Sequence, residues 1–300
     1  MVRFKKEPVS KGLDDRRGQT TSRRGVALGG GAGGIVLIVV LLVSWLGGGG
    51  VNLESLNEIT DALAPGEAGP VNEGTLDPAN DPYADLKAYM NAVYIDVDAM
   101  WSEIFTAAGQ TDYRAPGFVI FEAFTNSACG GADEAFGPHY CPVDEMIYLD
   151  LDFFTQLRDQ FGAEGDFAPA YVIAHEFGHH IQTVIGVSEE VRGQQQANPD
   201  QANELSILME LQADCFAGVW ASTLAVGTDT GETIELDPAE IQEALDAAEA
   251  VGDDRIQSQG TGQVNPETWT HGSAEQRSDW TLTGYESGDP AACDTFASGS

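Results

Sequence analysis

Downstream of residue 80 the apolar positions change register several times along the chain. Leu86, Tyr89, Met90, Val93, Val97, Met100, Trp101, Ile104 and Phe105 recur every three or four residues. That spacing predicts a helix opened by Asp81-Pro82 and stopped near Gly109. Two short apolar runs follow, Gly117–Phe124 and Met146–Phe153. The second alternates partly and is rich in Ile, Tyr, Leu and Phe, so both read as strands. Helical spacing resumes from about Pro169 to Val184. A polar stretch, Gly193 to Asn203, reads as a loop before another helix, Leu205 to Ala225. Asp237-Pro238 opens a short helix, and Ser273 with Gln276 forms the pattern of a capping box opening a last one. A helix, then short strands, then helices, without internal repeat, argues an α+β fold.

The first 80 residues carry a different pattern. A basic stretch, residues 1–24, precedes an uncharged one from Gly25 to Val51, whose centre, Ile35 to Leu46, is almost purely aliphatic. A membrane-spanning helix needs about 20 apolar residues. The aliphatic centre is shorter, but the flanking glycines and alanines carry no charge, so 25–50 reads as a transmembrane segment. Bases before it and acids after it place the N-terminus in the cytoplasm and export the rest. The alternative is a cleaved signal peptide, but no small-x-small site follows Leu46 and the uncleaved anchor is favoured. Residues 51–80, acidic and rich in Gly, Pro and Asn, read as a linker to a domain at 81–300.

Charge sharpens this division. The net charge is −34, and residues 1–24 hold eight bases and three acids, leaving 6 of the 14 bases and 45 of the 48 acids to the remaining 276 residues. Such a body repels nucleic acid and anionic membrane surfaces. A solvated surface or adaptation to salt explains the acid better than a specific cationic partner does.

Four cysteines, Cys129, Cys141, Cys215 and Cys293, lie in the exported part, where disulfides are permitted. Cys129 and Cys141 flank a Gly-rich loop and are the expected pair; Cys215 and Cys293 then form the second. A cysteine zinc site is the competing reading, but the chain has no Cys-x-x-Cys.

The chemistry resides in Tyr171-Val-Ile-Ala-His175-Glu176-Phe-Gly-His179-His180-Ile-Gln, a His-Glu-x-x-His pattern on a predicted helix. Spacing of four puts His175 and His179 one turn apart on one face, so both rings can reach one ion. Glu176 beside them can take a proton from a zinc-activated water. Chance produces the pattern in about one in a hundred chains of this size. Here it sits in an apolar helical stretch that holds three of the five histidines. A catalytic Zn2+ needs a third protein ligand. On the later helix Glu210 and Asp214 share a face and interrupt a largely apolar run, where unpaired acids are costly. Glu210 is read as the third ligand and Asp214 as acceptor of a ligand histidine's free ring N–H. The competing reading is a solvated polar stripe.

His-Glu-x-x-His followed by Glu-x-x-x-Asp on a later helix resembles the gluzincin metallopeptidases. Several blocks resemble, more closely, one bacterial family of neutral zinc metallopeptidases, itself assigned largely by motif. They are Asp14-Asp-Arg-Arg, Ser127-Ala-Cys-Gly, Gly137-Pro-His-Tyr-Cys-Pro, Tyr148-Leu-Asp-Leu, His175-Glu-Phe-Gly-His-His-Ile-Gln, Glu210-Leu-Gln-Ala-Asp-Cys-Phe-Ala-Gly and His271-Gly-Ser-Ala-Glu-Gln-Arg. The Gly-rich stretches here are shorter than the family pattern, which touches only linker length. The resemblance implies a zincin-like fold and hydrolysis of a peptide or protein substrate by an enzyme anchored at the cell membrane. It also implies a His or Tyr that stabilises the oxyanion. His271 is the first candidate for that role and Tyr148 a weaker one. His180 points off the zinc face, and His139 has no assigned role. By analogy with zincins, Gly117–Phe124 is an expected edge strand for substrate pairing. The rival reading is a zinc-binding interaction module without turnover.

Overall fold

The computed structural model describes residues 3–4, 10, 12–18, 80–122, 124–133, 137–154, 167–226, 234–236, 238–261 and 263–297. The chain begins with β1 (Arg3–Phe4) and β2 (Leu13–Asp15), followed by α1 (Ala84–Ala107). Next come β3 (Gly117–Phe121), β4 (Phe124–Ser127), β5 (Gly130–Asp133), β6 (His139–Cys141) and β7 (Met146–Asp150). Helices α2 (Ala168–Val184), α3 (Val187–Ala197) and α4 (Ala202–Ser222) precede β8 (Ala225–Val226) and β9 (Ile234–Leu236). Helices α5 (Pro238–Ala250), α6 (Asp253–Thr261) and α7 (Ala274–Ser287) complete the order. The mixed α+β class matches the sequence pattern. The chain divides into a helical unit (residues 1–13, 82–117 and 154–300) and a β unit (14–81 and 118–153).

In the helical unit, α4 packs on α2 and α7. Its aromatic side buries Trp220, which stacks on Phe167, and Phe216, which meets Trp101 of α1 edge-on. Small residues let the helix axes approach. A Cβ at Gly178 of α2 would stand 2.8 Å from the Ala213 Cα of α4. A Cβ at Gly218 would run into the Thr281 carbonyl of α7, and one at Gly284 into the Cys215 carbonyl of α4. The Cys215–Cys293 disulfide ties α4 to the segment after α7. Its cysteines are 78 positions apart, a loop whose closure stabilises by ~4.5 kcal/mol in the chain-entropy view. Helix α7 opens with the expected capping box: the Ser273 hydroxyl accepts from the Gln276 N–H, and the Gln276 side chain accepts from the Ser273 N–H. A small sheet of order β1-β9-β8 belongs to this unit.

Two helices escaped the apolar pattern. The stretch Gly193–Asn203, read as loop, is largely helical, since α3 runs to Ala197 and α4 starts at Ala202. Helix α3 buries only Val191, so it shows no apolar stripe. Helix α6 shows no apolar stripe either, its one aliphatic side chain, Ile256, being exposed.

The β unit is built on a sheet of order β2-β3-β7-β6. Strands β6 and β7 are antiparallel, with His139 opposite Tyr148 and Cys141 opposite Met146. Val119, Phe121, Cys141 and Tyr148 form its core, and the Cys129–Cys141 disulfide packs against them. Strands β4 and β5 form a separate hairpin. The expected edge strand is interior: β3 has β2 on one side and β7 on the other, so it has no open edge for a substrate.

The strand beside β3 comes from the expected cytoplasmic tail. The Arg16 N–H donates to the Ile120 carbonyl at 2.8 Å. Arg17 is 2% exposed, and its guanidinium bonds Asp15 at 2.7–2.8 Å and Asp81 at 2.7–2.8 Å. A buried Arg is tolerated when both arms of its fork meet carboxylates. Residues 14–18 thus belong to the β unit. The expected transmembrane segment, 25–50, and the expected linker, 51–80 except Asn80, lie outside the described residues. Among the described residues no helix is long and apolar enough to cross a membrane.

Candidate metal centre

Helix α2 presents His175 and His179 one turn apart, their rings edge to face at 4.8 Å between centroids. The close approach at Gly178 and Ala213 brings α4 alongside, and with it Glu210. His175 Nε2 lies 3.2 Å from Glu210 Oε2, and His179 Nε2 lies 3.4 Å from Oε1. One donor atom from each of the three residues falls within 4.8 Å of the others, a grouping that could hold a metal ion.

The ring tautomers follow from what the other nitrogens touch. His175 Nδ1 is 2.7 Å from Asp214 Oδ1, and an ionised carboxylate only accepts, so this nitrogen carries the proton. Asp214 is fully buried. Burial opposes its charge, but Arg277 and then His175 outweigh that and hold its carboxyl below the usual range. His179 Nδ1 is 2.9 Å from Gln182 Oε1. The Gln182 amide cannot be turned round, because its nitrogen donates to the Met209 carbonyl at 2.7 Å and to Gln212 Oε1 at 3.1 Å. His179 therefore also carries its proton on Nδ1. Both Nε2 lone pairs are left facing one carboxylate, a donor set of two imidazoles and one oxygen that suits zinc.

The electrostatics agree. Burial pushes Glu210 up, but the charge of His179 and hydrogen bonds from both histidines hold it well below the ordinary carboxylate range. Burial pushes His175 down, but Asp214 and then Glu210 carry it up to about 10 without metal. Without a metal the two histidines meet Glu210 as charged donors, and a cation held by the three residues would take the place of those protons. Glu176, 6% exposed, has its Oε2 buried without a hydrogen-bond partner among the described residues. An orphaned carboxylate oxygen beside two ligand-type histidines fits a group that takes its proton from a bound water.

Around this centre stand residues that the sequence pattern did not single out. Arg277 of α7, 3% exposed, bonds Asp214 with two arms, Nε to Oδ2 at 2.8 Å and Nη2 to Oδ1 at 2.9 Å. Tyr171, one turn before His175, donates its hydroxyl to Asp214 Oδ1 at 2.5 Å. Arg277 left a trace, being one of only six bases after residue 24. Tyr171 and Gln182 stood at helical spacing from the two histidines.

His271 is brought within electrostatic reach of Glu210, whose charge helps raise its pKa. Asp253, at the start of α6, holds it: Oδ2 accepts the N–H groups of Thr270, His271 and Gly272, and Oδ1 lies 3.2 Å from His271 Nδ1. That leaves Nε2 for another partner, and the His271 side chain is 44% exposed. Asp253 gave no sequence signal, since an acid in a helix's first turn is ordinary. Tyr148 is the inward strand tyrosine: it is buried and donates its hydroxyl to Asp144 at 2.8 Å. His180 is a core histidine against Phe177, with Nε2 2.7 Å from the Arg114 carbonyl. His139 stacks on Tyr148.

Comparison with known proteins agrees with this geometry. A family model described as "Putative neutral zinc metallopeptidase" matches residues 2–296. The chain is 43% identical over 209 residues to the uncharacterized protein YpfJ of Escherichia coli, covering 69% of this chain and 70% of that one. It is 47% identical over 206 residues to the uncharacterized protein Rv2575 of Mycobacterium tuberculosis, covering 67% of each. No solved structure matches the chain. A family model spanning almost the whole chain, with the His175–His179–Glu210 grouping inside it, places the protein in the family of neutral zinc metallopeptidases.

Proposed function

We propose that the protein is a zinc-dependent peptidase acting outside the cytoplasm, with His175, His179 and Glu210 as metal ligands and Glu176 as general base. The observation that carries this reading is the buried, unpartnered Glu176 Oε2 beside two Nε2 lone pairs that converge on Glu210. Zinc, when bound, supplies a positive charge that acidifies water to a pKa of about 7 and polarises a carbonyl. Glu176 accepts the proton of the attacking water as its oxygen bonds to the peptide carbon. It returns that proton to the amine as the C–N bond breaks. His271, as the imidazolium with its Nδ1–H held by Asp253, would offer its Nε2–H to the oxygen that becomes negative. Asp214 and Gln182 keep the two ligand rings in the tautomer that leaves Nε2 free. Two disulfides support an oxidising compartment. The unpartnered base speaks against a silent zinc module, which has no use for a buried orphan carboxylate.

The test pairs zinc content with turnover in the full chain. Wild type should hold about one zinc and Glu210→Ala should lose most of it. Glu176→Gln should keep its zinc and cleave peptides slower by on the order of 10²–10⁴-fold. Cleavage by Glu176→Gln at the wild-type rate would falsify the assignment. So would a folded wild type that takes up no zinc when offered it.

A further inference from the structure

We propose that Arg277 is a positioning residue of the metal centre, fixing the plane of Asp214 and through it the ring of His175. The inference rests on the reading of His175, His179 and Glu210 as ligands. It adds a residue from a third helix that touches none of the reacting atoms.

The geometry is a relay of planes. The guanidinium meets Asp214 edge to edge, Nε to Oδ2 at 2.8 Å and Nη2 to Oδ1 at 2.9 Å. A bidentate pair of this kind fixes the carboxylate's rotation as well as its position. The guanidinium is held in turn: Nη1 donates to the Val251 carbonyl at 3.3 Å, and Nη2 lies 3.3 Å from the Tyr171 hydroxyl. Asp214 Oδ1 accepts from His175 Nδ1 at 2.7 Å, so the direction of its lone pair sets the imidazole plane. The plane decides where Nε2 points, 3.2 Å from Glu210. Arg277 also lies 3.9 Å from Glu210 Oε2, so its charge balances two carboxylates brought together on α4.

The helix pair is built for this contact. Asp214 lies one turn before Gly218 on α4, and Arg277 lies two turns before Gly284 on α7. Both glycines stand where the helices run backbone against backbone, and Cys215, next to Asp214, is disulfide-bonded to Cys293 beyond the end of α7. A lysine in place of Arg277 would supply the charge but only a point of it, and could not hold both oxygens of Asp214 in one plane.

The test measures the zinc dissociation constant by competition with a chromophoric chelator and the visible absorption of the Co2+-loaded protein. The proteins are wild type, Arg277→Met, Arg277→Lys, Asp214→Asn and the double variant Arg277→Met/Asp214→Asn. Arg255→Met, at an exposed position, is the control. Arg277→Met and Asp214→Asn should each weaken zinc binding by about 10–100-fold. The double variant should bind about as weakly as the weaker single, because both losses act through one contact. Arg277→Lys, the variant most apt to fold, should also bind zinc more weakly and shift the Co2+ bands. A merely structural role would lower the melting temperature and leave affinity and bands in place. Arg277→Lys with wild-type affinity and bands, or single losses that multiply in the double variant, overturns the proposal. Failure of wild type itself to bind zinc would instead overturn the ligand assignment beneath it.

Discussion

At the scale of single residues, the centre depends on which atom of each ring is occupied. Asp253 does for His271 what Asp214 does for His175, and this gives it a pH signature. Burial works against the Asp253 carboxylate, yet hydrogen bonds and charge from His271 hold its pKa below the ordinary value. The stability it contributes is therefore present above about pH 4 and fades as pH falls through its lower folded-state value. His271 is shifted the other way. Burial would lower its pKa, but Asp253 and Glu210 raise it. Its share is full below about pH 6.5 and fades as pH rises through the higher folded-state value. The pair is worth most between those limits. Urea unfolding of wild type and Asp253→Asn should show the largest stability gap near pH 5 to 6 and smaller gaps at pH 3 and pH 9. A gap that does not vary with pH would mean that the pair carries no charge linkage.

At the scale of elements, the ligand set is assembled by glycines. His175 and His179 share α2, but Glu210 reaches them only because Gly178 lets α4 close in, and Arg277 reaches Asp214 only because Gly218 and Gly284 do the same for α7. Gly284→Ala should be destabilising by about 3 kcal/mol or more, since the added Cβ meets backbone that cannot rotate away. Gly193→Ala, in open space on α3, should be neutral or slightly stabilising. Thermal melts of the two variants decide it, and equal melting temperatures would remove the close-packing argument. This scale also shows what the sequence made legible. His175, Glu176, His179 and Glu210 stood out because ligand chemistry demands rare residues at a spacing of four. Both disulfides followed from loop and elimination. Arg277 and Asp253 did not stand out, because each meets its partner across 63 and 18 positions through tertiary packing that no local pattern encodes. Helices α3 and α6 hid because their faces are almost wholly polar, and the edge position of β3 was expected by analogy with zincins alone, since sheet order is not written in a strand's own residues.

At the scale of the whole molecule, the N-terminal residues set the topology. Arg17 and Asp81, 64 positions apart, share one buried ion pair, and Arg16 is hydrogen-bonded to β3. The uncharged segment at 25–50 lies between these two residues in the sequence. A one-way membrane crossing within it would put Arg17 and Asp81 on opposite faces of a bilayer, with the ion pair and the β2–β3 ladder broken. The pair therefore predicts that residues 14–18 lie on the same side of any membrane as the rest of the β unit. The Cys129–Cys141 disulfide in the same unit makes an oxidising side the consistent one. Single cysteines placed at Asp14 and, separately, at Val143, which is 67% exposed in the same unit, can be probed in intact cells with a membrane-impermeant maleimide. The two sites should label alike. Labelling at Val143→Cys with protection at Asp14→Cys would restore the single crossing with a cytoplasmic N-terminus, and the buried Arg17–Asp81 pair would then have to open whenever the protein is inserted.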